Sequence, residues 1–140
     1  MYKFERAKAA HAPLARLMLE VLPLGDWLVV PIPTAPKRVR QRGYDQAALL
    51  AKAVASARVL PYSPSLGRLQ DARQVGSNRV QRHVQSAHLF FVAKPAVVQG
   101  AKILLVDDVC TTGATLAAAA GLLKAHGAAS VDAVVAAYKS

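Results

Sequence analysis

One stretch of this chain constrains its fold more than any other, because an apolar segment in it runs directly into two acidic residues. Lys102 to Val106 (KILLV) predicts a strand that is buried on both faces. Asp107 and Asp108 follow it, and the Ala- and Leu-rich segment from Gly113 to His126 predicts a helix. A strand, a short turn and a helix in this order are typical of α/β proteins.

Other apolar segments continue this alternation. Apolar residues at steps of three and four from Phe4 to Val21 predict an amphipathic helix, and Trp27 to Ile32 predicts a buried strand. Thr34 to Arg42 contains breakers and several cations, which favours a loop, and Asp45 would cap a helix that ends near Ala57. Further strands are predicted near Leu66 to Leu69, at His88 to Val92 and at Val131 to Ala137, with a short basic helix from Ser77 to Gln85.

This alternation predicts an α/β fold with a mostly parallel central sheet flanked by helices. The length of 140 residues suits a single domain, residues 1–140. Ligands of such sheets bind beyond the carboxyl ends of the strands. We therefore expect the chemistry in the loops after Ile32 and Val106.

The composition excludes several classes of protein. With 54% hydrophobic and 19% charged residues, the chain has enough apolar surface to bury a core. No apolar run approaches the ~20 residues of a membrane span, and the N-terminal segment is too charged for a signal peptide. The single cysteine, Cys110, rules out an internal disulfide, and the histidines show no zinc-ligand spacing. We therefore expect a cytoplasmic protein without a membrane span and without zinc.

The net charge is strongly positive, because 18 Lys and Arg stand against 8 Asp and Glu, which gives +10. Such a field attracts polyanions, which include nucleic acids, phosphates and anionic membranes. Charge alone does not choose among them, and a generic basic surface stays open.

The turn between the predicted strand and helix has the chemistry of an anion site. Backbone N–H groups at the start of a helix lack partners inside it, and the helix dipole is positive there. The hydroxyls of Thr111, Thr112 and Thr115 add donors, while Gly113 permits a positive φ or a close approach. Together these groups predict a cradle for a phosphate monoester.

Two carboxylates beside this cradle would repel a phosphate unless the same ligand offers them hydroxyl groups or a metal ion. Two unit charges ~4 Å apart repel each other by roughly 4 kcal/mol at an effective dielectric constant near 20. A phosphate next to a vicinal diol, as in ribose 5-phosphate, satisfies both groups. The alternative is that Asp107 and Asp108 are solvated or capping residues and that one threonine is only an N-cap.

The segment from Ile103 to Thr115 resembles the binding signature of type I phosphoribosyltransferases for 5-phosphoribosyl 1-diphosphate (PRPP). That signature is an apolar strand, two acidic residues, two variable residues, Thr-Thr-Gly, any residue and Thr. The resemblance implies a type I phosphoribosyltransferase-like fold, with Asp107 and Asp108 at the ribose hydroxyls or at Mg²⁺ bound with PRPP. The residues that it assigns to the 5-phosphate are Thr111, Thr112, Gly113, Ala114 and Thr115.

A second, basic segment narrows the resemblance. The cations between Lys37 and Arg42 suit a diphosphate, whose oxygens match the forked donors of arginine, although each alone is also typical of a solvated loop. The segment from Pro31 to Gln46, with Arg68 and Gln74 to Gly76, resembles the ComF family of competence-associated, phosphoribosyltransferase-like proteins. The diphosphate residues that this implies are Pro33, Thr34, Ala35, Lys37 and Arg42.

Several positions depart from the family pattern or leave alternatives open. Tyr44 and Asp45 stand where Phe and Asn are usual, and we expect a chain without the Cys-rich, zinc-ribbon-like module that relatives commonly carry ahead of this region. A downstream basic cluster falls where the fold has a mobile lid, but a nucleic-acid surface or a solvated helix would look the same. Its members are Arg68, Arg73, Arg79 and Arg82.

Two functions of different classes fit these motifs. The first is Mg²⁺-dependent transfer of a phosphoribosyl group from PRPP to an unidentified nucleophile, with a link to competence and DNA uptake. The alternative is a non-catalytic module that senses PRPP or a nucleotide, or that binds single-stranded DNA or a protein of the competence machinery. Steep salt dependence would distinguish nucleic-acid binding from PRPP binding.

Overall fold

The computed structural model of the protein describes residues 13–69, 89–110 and 113–138. The first range begins with α1 (residues 13–21), β1 (Leu28–Pro31), α2 (Pro36–Arg42) and α3 (Gln46–Arg58). The elements that follow are β2 (Leu66–Arg68), β3 (Phe90–Val92), α4 (Pro95–Val98), β4 (Lys102–Cys110), α5 (Ala114–Ala125) and β5 (Ser130–Tyr138). No helix within the described ranges is long and apolar enough to cross a membrane.

The predicted parallel sheet is present, with β4 in the centre between β1 and β5. The pairing of β1 with β4 ends at Pro31 opposite Val106, whereas β4 pairs with β5 as far as Cys110 opposite Tyr138. β4 therefore continues beyond the end of β1. Because β2 and β3 form a separate antiparallel ribbon, the strands are mostly but not wholly parallel, as predicted.

Apolar side chains cover both faces of the sheet, since alternate residues of a strand point to opposite sides. On one face, Leu104 and Val106 of β4 belong to a cluster with Met18 of α1 and with Leu50 and Val54 of α3. The opposite face packs against α4, α5 and the ribbon through Ile103, Leu105, Leu66, Phe90, Val98, Ala119 and Leu123. With both faces covered, the ends of the strands are where a ligand can reach the sheet.

The prediction of a loop from Thr34 to Arg42 is wrong, because residues 36–42 form α2. Pro36 stands at its first position, where the missing N–H is not needed and the fixed φ favours a helix. The Lys and Arg residues that follow are good helix formers. Gly43, with φ of 81°, ends the helix in the left-handed conformation that suits glycine.

The other predicted elements in the described ranges are present, with small changes in their bounds. Asp45 caps α3 as predicted, because its carboxylate accepts a hydrogen bond from the backbone N–H of Ala48. β4 is longer than predicted and runs to Cys110, because β5 supplies backbone partners that far. The predicted helix from Ser77 to Gln85 lies outside the described residues.

Candidate functional site

A cleft of about 440 Å³ opens at the carboxyl ends of β1 and β4. Four parts of the chain line it, namely the loop after β1 with α2, the end of β2, the extension of β4 and the first turn of α5. Its lining residues are Ile32, Thr34, Ala35, Arg38, Gln41, Arg42, Arg68, Asp107, Asp108, Val109 and Thr115. The loops after the first strand and after the central strand, where the chemistry was expected, thus face one cleft.

The acidic wall of the cleft consists of Asp107 and Asp108, on the part of β4 that continues past β1. The backbone N–H of Ile32 donates to the Val106 carbonyl at 2.9 Å, so the contact of the first strand with β4 ends directly before the aspartates. Asp107 is still paired with Val135 of β5. The acidic wall therefore lies in a hydrogen-bonded sheet rather than on a free loop.

The two carboxyl groups of the acidic wall influence each other. The backbone N–H of Asp108 donates to Asp107 Oδ1 at 2.8 Å, and that of Val109 donates to Asp108 Oδ1 at 3.0 Å. Burial, with help from the neighbouring Asp108 carboxyl, raises the pKa of Asp107 to about 7, although the charge of Arg38 lowers it. The ligand-free carboxyl group of Asp107 therefore keeps its proton to a higher pH than an ordinary aspartate does. A bound cation would favour the charged form.

The basic wall consists of Arg38, Gln41 and Arg42 on α2 and of Arg68 at the end of β2. The three α2 residues share one side of the helix, because residues three and four apart are neighbours there. α2 has no buried residue, so this wall is mostly surrounded by solvent. Arg42 Nη1 lies 3.2 Å from Asp108 Oδ2, and the two walls therefore meet in an ion pair.

The loop of residues 33–35, between β1 and α2, is held from two sides. Arg68 Nη1 donates to the Pro33 carbonyl at 3.1 Å. From the other side, Thr34 Oγ1 donates to Asp45 Oδ1 at 2.8 Å. These contacts fix the loop beside the basic wall.

The structure brings many of the predicted ligand-binding residues to this one cleft. Those that line it are Thr34, Ala35, Arg42, Asp107, Asp108 and Thr115. Gly113, with φ of 79°, and Ala114 directly precede Thr115 at the start of α5. The positive φ of Gly113 is the conformation for which the sequence placed a glycine in the turn.

Other predicted residues lie apart from the cleft or beyond the described ranges. Pro33 does not line the cleft, but its carbonyl accepts a hydrogen bond from Arg68. Lys37 is exposed on α2 and also lies outside the lining. The predicted residues outside the described ranges are Thr111, Thr112, Arg73, Arg79 and Arg82. The phosphate cradle and the lid therefore stay predictions at those positions.

Sequence reasoning did not single out Gln41, placed Arg38 only among the cations that suit a diphosphate, and placed Arg68 only in the downstream basic cluster, although all three line the cleft. A helix that begins at Pro36 would have placed the first two on one face with Arg42, so the missing signal was the helix itself. Arg68 stands two residues after buried Leu66 on β2, and side chains two residues apart on a strand lie on the same face. Its guanidinium carbon lies 5.5 Å from the centre of the Phe90 ring, on the strand opposite.

Comparison with protein families decides the classification. The model of the phosphoribosyl transferase domain matches residues 45–140 of this chain. The chain belongs to the phosphoribosyl transferase domain family. The matched part of this phosphoribosyl transferase domain includes the acidic wall, whereas α2 lies before it.

Curated relatives agree with the resemblance predicted from the two motifs. The domain is 36% identical over 114 residues to competence protein ComFC of Bacillus subtilis, which covers 81% of this chain and 45% of the relative. It is 33% identical over 149 aligned positions to DNA utilization protein YhgH of Salmonella typhi, which covers 93% of this chain and 61% of the relative. The predicted similarity to the ComF family is confirmed. The chain spans about half the length of the curated relatives it matches.

Solved structures show the same fold. The domain superposes on an allosteric regulatory enzyme of purine biosynthesis with a TM-score of 0.68 and 18% identity, over 92% of this chain and 26% of that chain. Its superposition on glutamine phosphoribosylpyrophosphate amidotransferase from Bacillus subtilis, in complex with ADP and GMP, gives a TM-score of 0.67 and 19% identity. It covers 92% of this chain and 26% of that chain. At such identities the likeness establishes the type I phosphoribosyltransferase-like fold alone.

Proposed function

We propose that this cleft binds PRPP together with Mg²⁺ and that the protein transfers the phosphoribosyl group to a nucleophile. The observation that carries the proposal is the meeting of the two walls, with Asp108 and Arg42 3.2 Å apart in a cleft that Thr115 also lines. A ligand for such a cleft must offer anionic groups and hydroxyl donors close together. PRPP has both, because its ribose diol lies between two phosphorylated positions.

Each wall would take one part of this ligand. Asp107 and Asp108 would accept hydrogen bonds from the ribose hydroxyls, and Arg38 and Arg42 would donate to the diphosphate. The 5-phosphate would lie at the start of α5, where the helix dipole is positive and Thr115 lines the cleft. One molecule would thus supply hydroxyl donors to the carboxylates of the acidic wall and phosphate oxygens to the arginines of the basic wall.

The residues of the acidic wall fit Mg²⁺, because they supply two carboxylates without a complete cage. Among the residues that the structure describes, no group of three or more His, Cys, Asp or Glu side chains could hold a metal ion by itself. Mg²⁺ usually binds through one or two carboxylates and phosphate oxygens. When bound, it would neutralise part of the charge on the diphosphate.

The reaction would break the bond between C1 of the ribose and a diphosphate oxygen and form a bond from C1 to the attacking nucleophile. The electron pair of the broken bond leaves with the diphosphate, while positive charge develops on the ribose. The basic wall would stabilise the leaving group, and the acidic wall would hold the ribose in position. Transfer of this kind requires no nucleophile from the protein.

Titration calorimetry with PRPP, in the presence and absence of Mg²⁺, tests the binding step. A diphosphate-release assay over a panel of bases and amines then tests the transfer. We expect binding that tightens with Mg²⁺, and diphosphate release with at least one acceptor. Failure to bind PRPP under both conditions would contradict the proposal.

A second candidate is a non-catalytic competence module that binds single-stranded DNA. It is favoured by the names of the relatives, a competence protein and a DNA utilization protein, and by Lys37 and Arg40, exposed cations of α2 outside the cleft lining. Binding through ~6 phosphates would give a slope of about −4 for log affinity against log salt. A steep slope without PRPP binding would favour this candidate.

A further inference from the structure

One carboxylate connects the loop after β1 to the body of the domain. Asp45 Oδ1 accepts from Thr34 Oγ1 at 2.8 Å and from the backbone N–H of Ala48 at 3.1 Å. The other oxygen, Oδ2, lies 3.5 Å from the backbone nitrogen of Thr34, which is a long and weak contact. The same side chain therefore caps α3 and holds Thr34.

The base of this contact is rigid. α3 is anchored in the core by Ala47, Leu50 and Val54, and the N-terminus of a helix stabilises a negative charge such as that of Asp45. On the opposite side, the loop is held by Arg68 of β2 through the Pro33 carbonyl. Two independent elements thus position a segment of only a few residues.

Thr34 and Ala35 both line the cleft, directly before the arginines of α2. We propose that Asp45 is a positioning residue, whose hold on Thr34 keeps the loop of residues 33–35 in the conformation that receives the diphosphate group. The inference rests on the proposed function, because it concerns the anionic part of the same ligand. It gives a role to a position at which the sequence departs from the Asn usual in the ComF pattern.

The charge and the hydrogen bond of Asp45 have opposite effects on the binding of an anion. A carboxylate beside the loop repels an anion there, whereas its Oδ1 holds the loop in place. Asn at this position would keep an oxygen for both Thr34 and Ala48 and would remove the charge. Ser is also a good N-cap, but its shorter side chain cannot reach both partners. Both Asp45→Asn and Asp45→Ser therefore remove the charge and keep a capping residue for α3. Only Asp45→Asn keeps the hydrogen bond with Thr34.

A double-mutant comparison uses this difference. The Kd for inorganic diphosphate is measured by calorimetry for the parent, Asp45→Asn and Asp45→Ser, each with Thr34 intact and with Thr34→Val. We expect Asp45→Asn to bind at least as tightly as the parent and Asp45→Ser to bind at least ~5-fold more weakly than Asp45→Asn. With Thr34→Val, the two variants should agree within about twofold, since no hydroxyl is left to hold.

Controls separate positioning from stability and from net charge. Urea midpoints of the two Asp45 variants should agree, because both keep a capping residue. Asp26→Asn removes an exposed charge from the segment before β1, at the opposite end of the strand, and should leave the Kd within about twofold. The positioning role alone would be overturned if the Kd of Asp45→Ser divided by that of Asp45→Asn were the same with Thr34 intact and with Thr34→Val. It would also be overturned if the two Asp45 variants bound diphosphate equally with Thr34 intact. A parent protein that binds PRPP but no diphosphate would overturn this role alone, and one that binds neither would overturn the proposed function as well.

Discussion

The two walls of the cleft face each other, but they lie on elements that differ in burial. The acidic wall lies on the central strand, where Leu105 and Val106 are fully buried and backbone pairing with β5 continues to Cys110. The basic wall lies mainly on a helix of seven residues with no buried side chain. At their meeting point the Asp108 side chain is 13% exposed and that of Arg42 is 41% exposed.

This difference divides the chemistry of the site. Burial sets the properties of the acidic wall, as the raised pKa of Asp107 shows, so its charge state depends on the core beneath it. The arginines of α2 stay in contact with solvent and supply charge. We therefore expect substitutions in the acidic wall to change both stability and ligand binding, and those of the α2 arginines to change binding alone.

The largest effect is expected for Asp107→Asn combined with Asp108→Asn. Affinity for PRPP should fall by roughly a hundredfold or more, because each lost charge-assisted hydrogen bond costs about 1.5–3 kcal/mol. Affinity for inorganic phosphate, which has no diol, should not fall, because the two carboxylates repel a phosphate rather than bind it. Calorimetry with both ligands measures the difference, and equal losses would show that the carboxylates only shape the turn.

Removing one residue of the basic wall should have a smaller effect. Arg42→Ala should weaken PRPP binding by about 10- to 100-fold, which corresponds to roughly 1.5–3 kcal/mol, and should leave ribose 5-phosphate within about threefold. Its unfolding free energy should stay within about 0.5 kcal/mol of the parent's. Arg40→Ala, on the same helix but outside the lining, is the matched control. Similar losses for PRPP and ribose 5-phosphate would argue against a diphosphate role.

The pH dependence of stability tests whether the core sets the charge of the acidic wall. Because the pKa of Asp107 is raised from 3.8 to about 7, the folded state keeps a proton that the unfolded chain has already released. The unfolding free energy should therefore fall between about pH 4 and pH 7 as this proton is lost, and level off above.

Urea unfolding of Asp107→Asn measures this contribution directly. The substitution should stabilise the ligand-free protein at pH 8 by about 2 kcal/mol, after allowing for partial contact of the carboxyl group with solvent, and should flatten that part of the profile. Asp26→Asn, at an exposed position, should leave the profile unchanged. A parallel decline in the parent and in Asp107→Asn would show that the acidic wall is not coupled to the core in this way.

The smallest effect concerns two glycines at and within α5. Gly113 has φ of 79°, so Gly113→Ala should destabilise the protein by about 1 kcal/mol although nothing lies within 4 Å of the added carbon. Gly121, within the helix, has equally open space and no positive φ, so Gly121→Ala should stabilise by about 0.5–1 kcal/mol. Thermal or urea unfolding would decide, and the same sign for both would mean that the turn conformation is wrong.

The acidic wall was accessible from sequence because its signals are local. An apolar strand, two aspartates and a glycine before a helix lie within a few residues of one another, and the structure places Asp107, Asp108 and Thr115 at one cleft. The order of buried strands and helices also sufficed for the α/β fold. The cytoplasmic location and the use of Mg²⁺ stay predictions.

The basic wall was harder to predict, because its contacts join distant parts of the chain. Arg42 meets Asp108 across 66 positions of sequence, and Arg68 meets Pro33 across 35. In addition, prolines and cations before Gly43 were read as loop signals, although Pro is also favoured at the first position of a helix. That one ambiguity hid the face of α2 that Arg38, Gln41 and Arg42 share, and with it the position of Gln41 in the cleft.

A comparison of PRPP with its two fragments tests the central claim, that both walls act on one ligand, most directly. Calorimetry with Mg²⁺ would give Kd values for PRPP, ribose 5-phosphate and inorganic diphosphate with the parent protein. We predict that PRPP binds at least ~10-fold more tightly than either fragment, because only PRPP contacts the acidic wall and the basic wall together. A Kd for PRPP no lower than that of the better fragment would contradict the account.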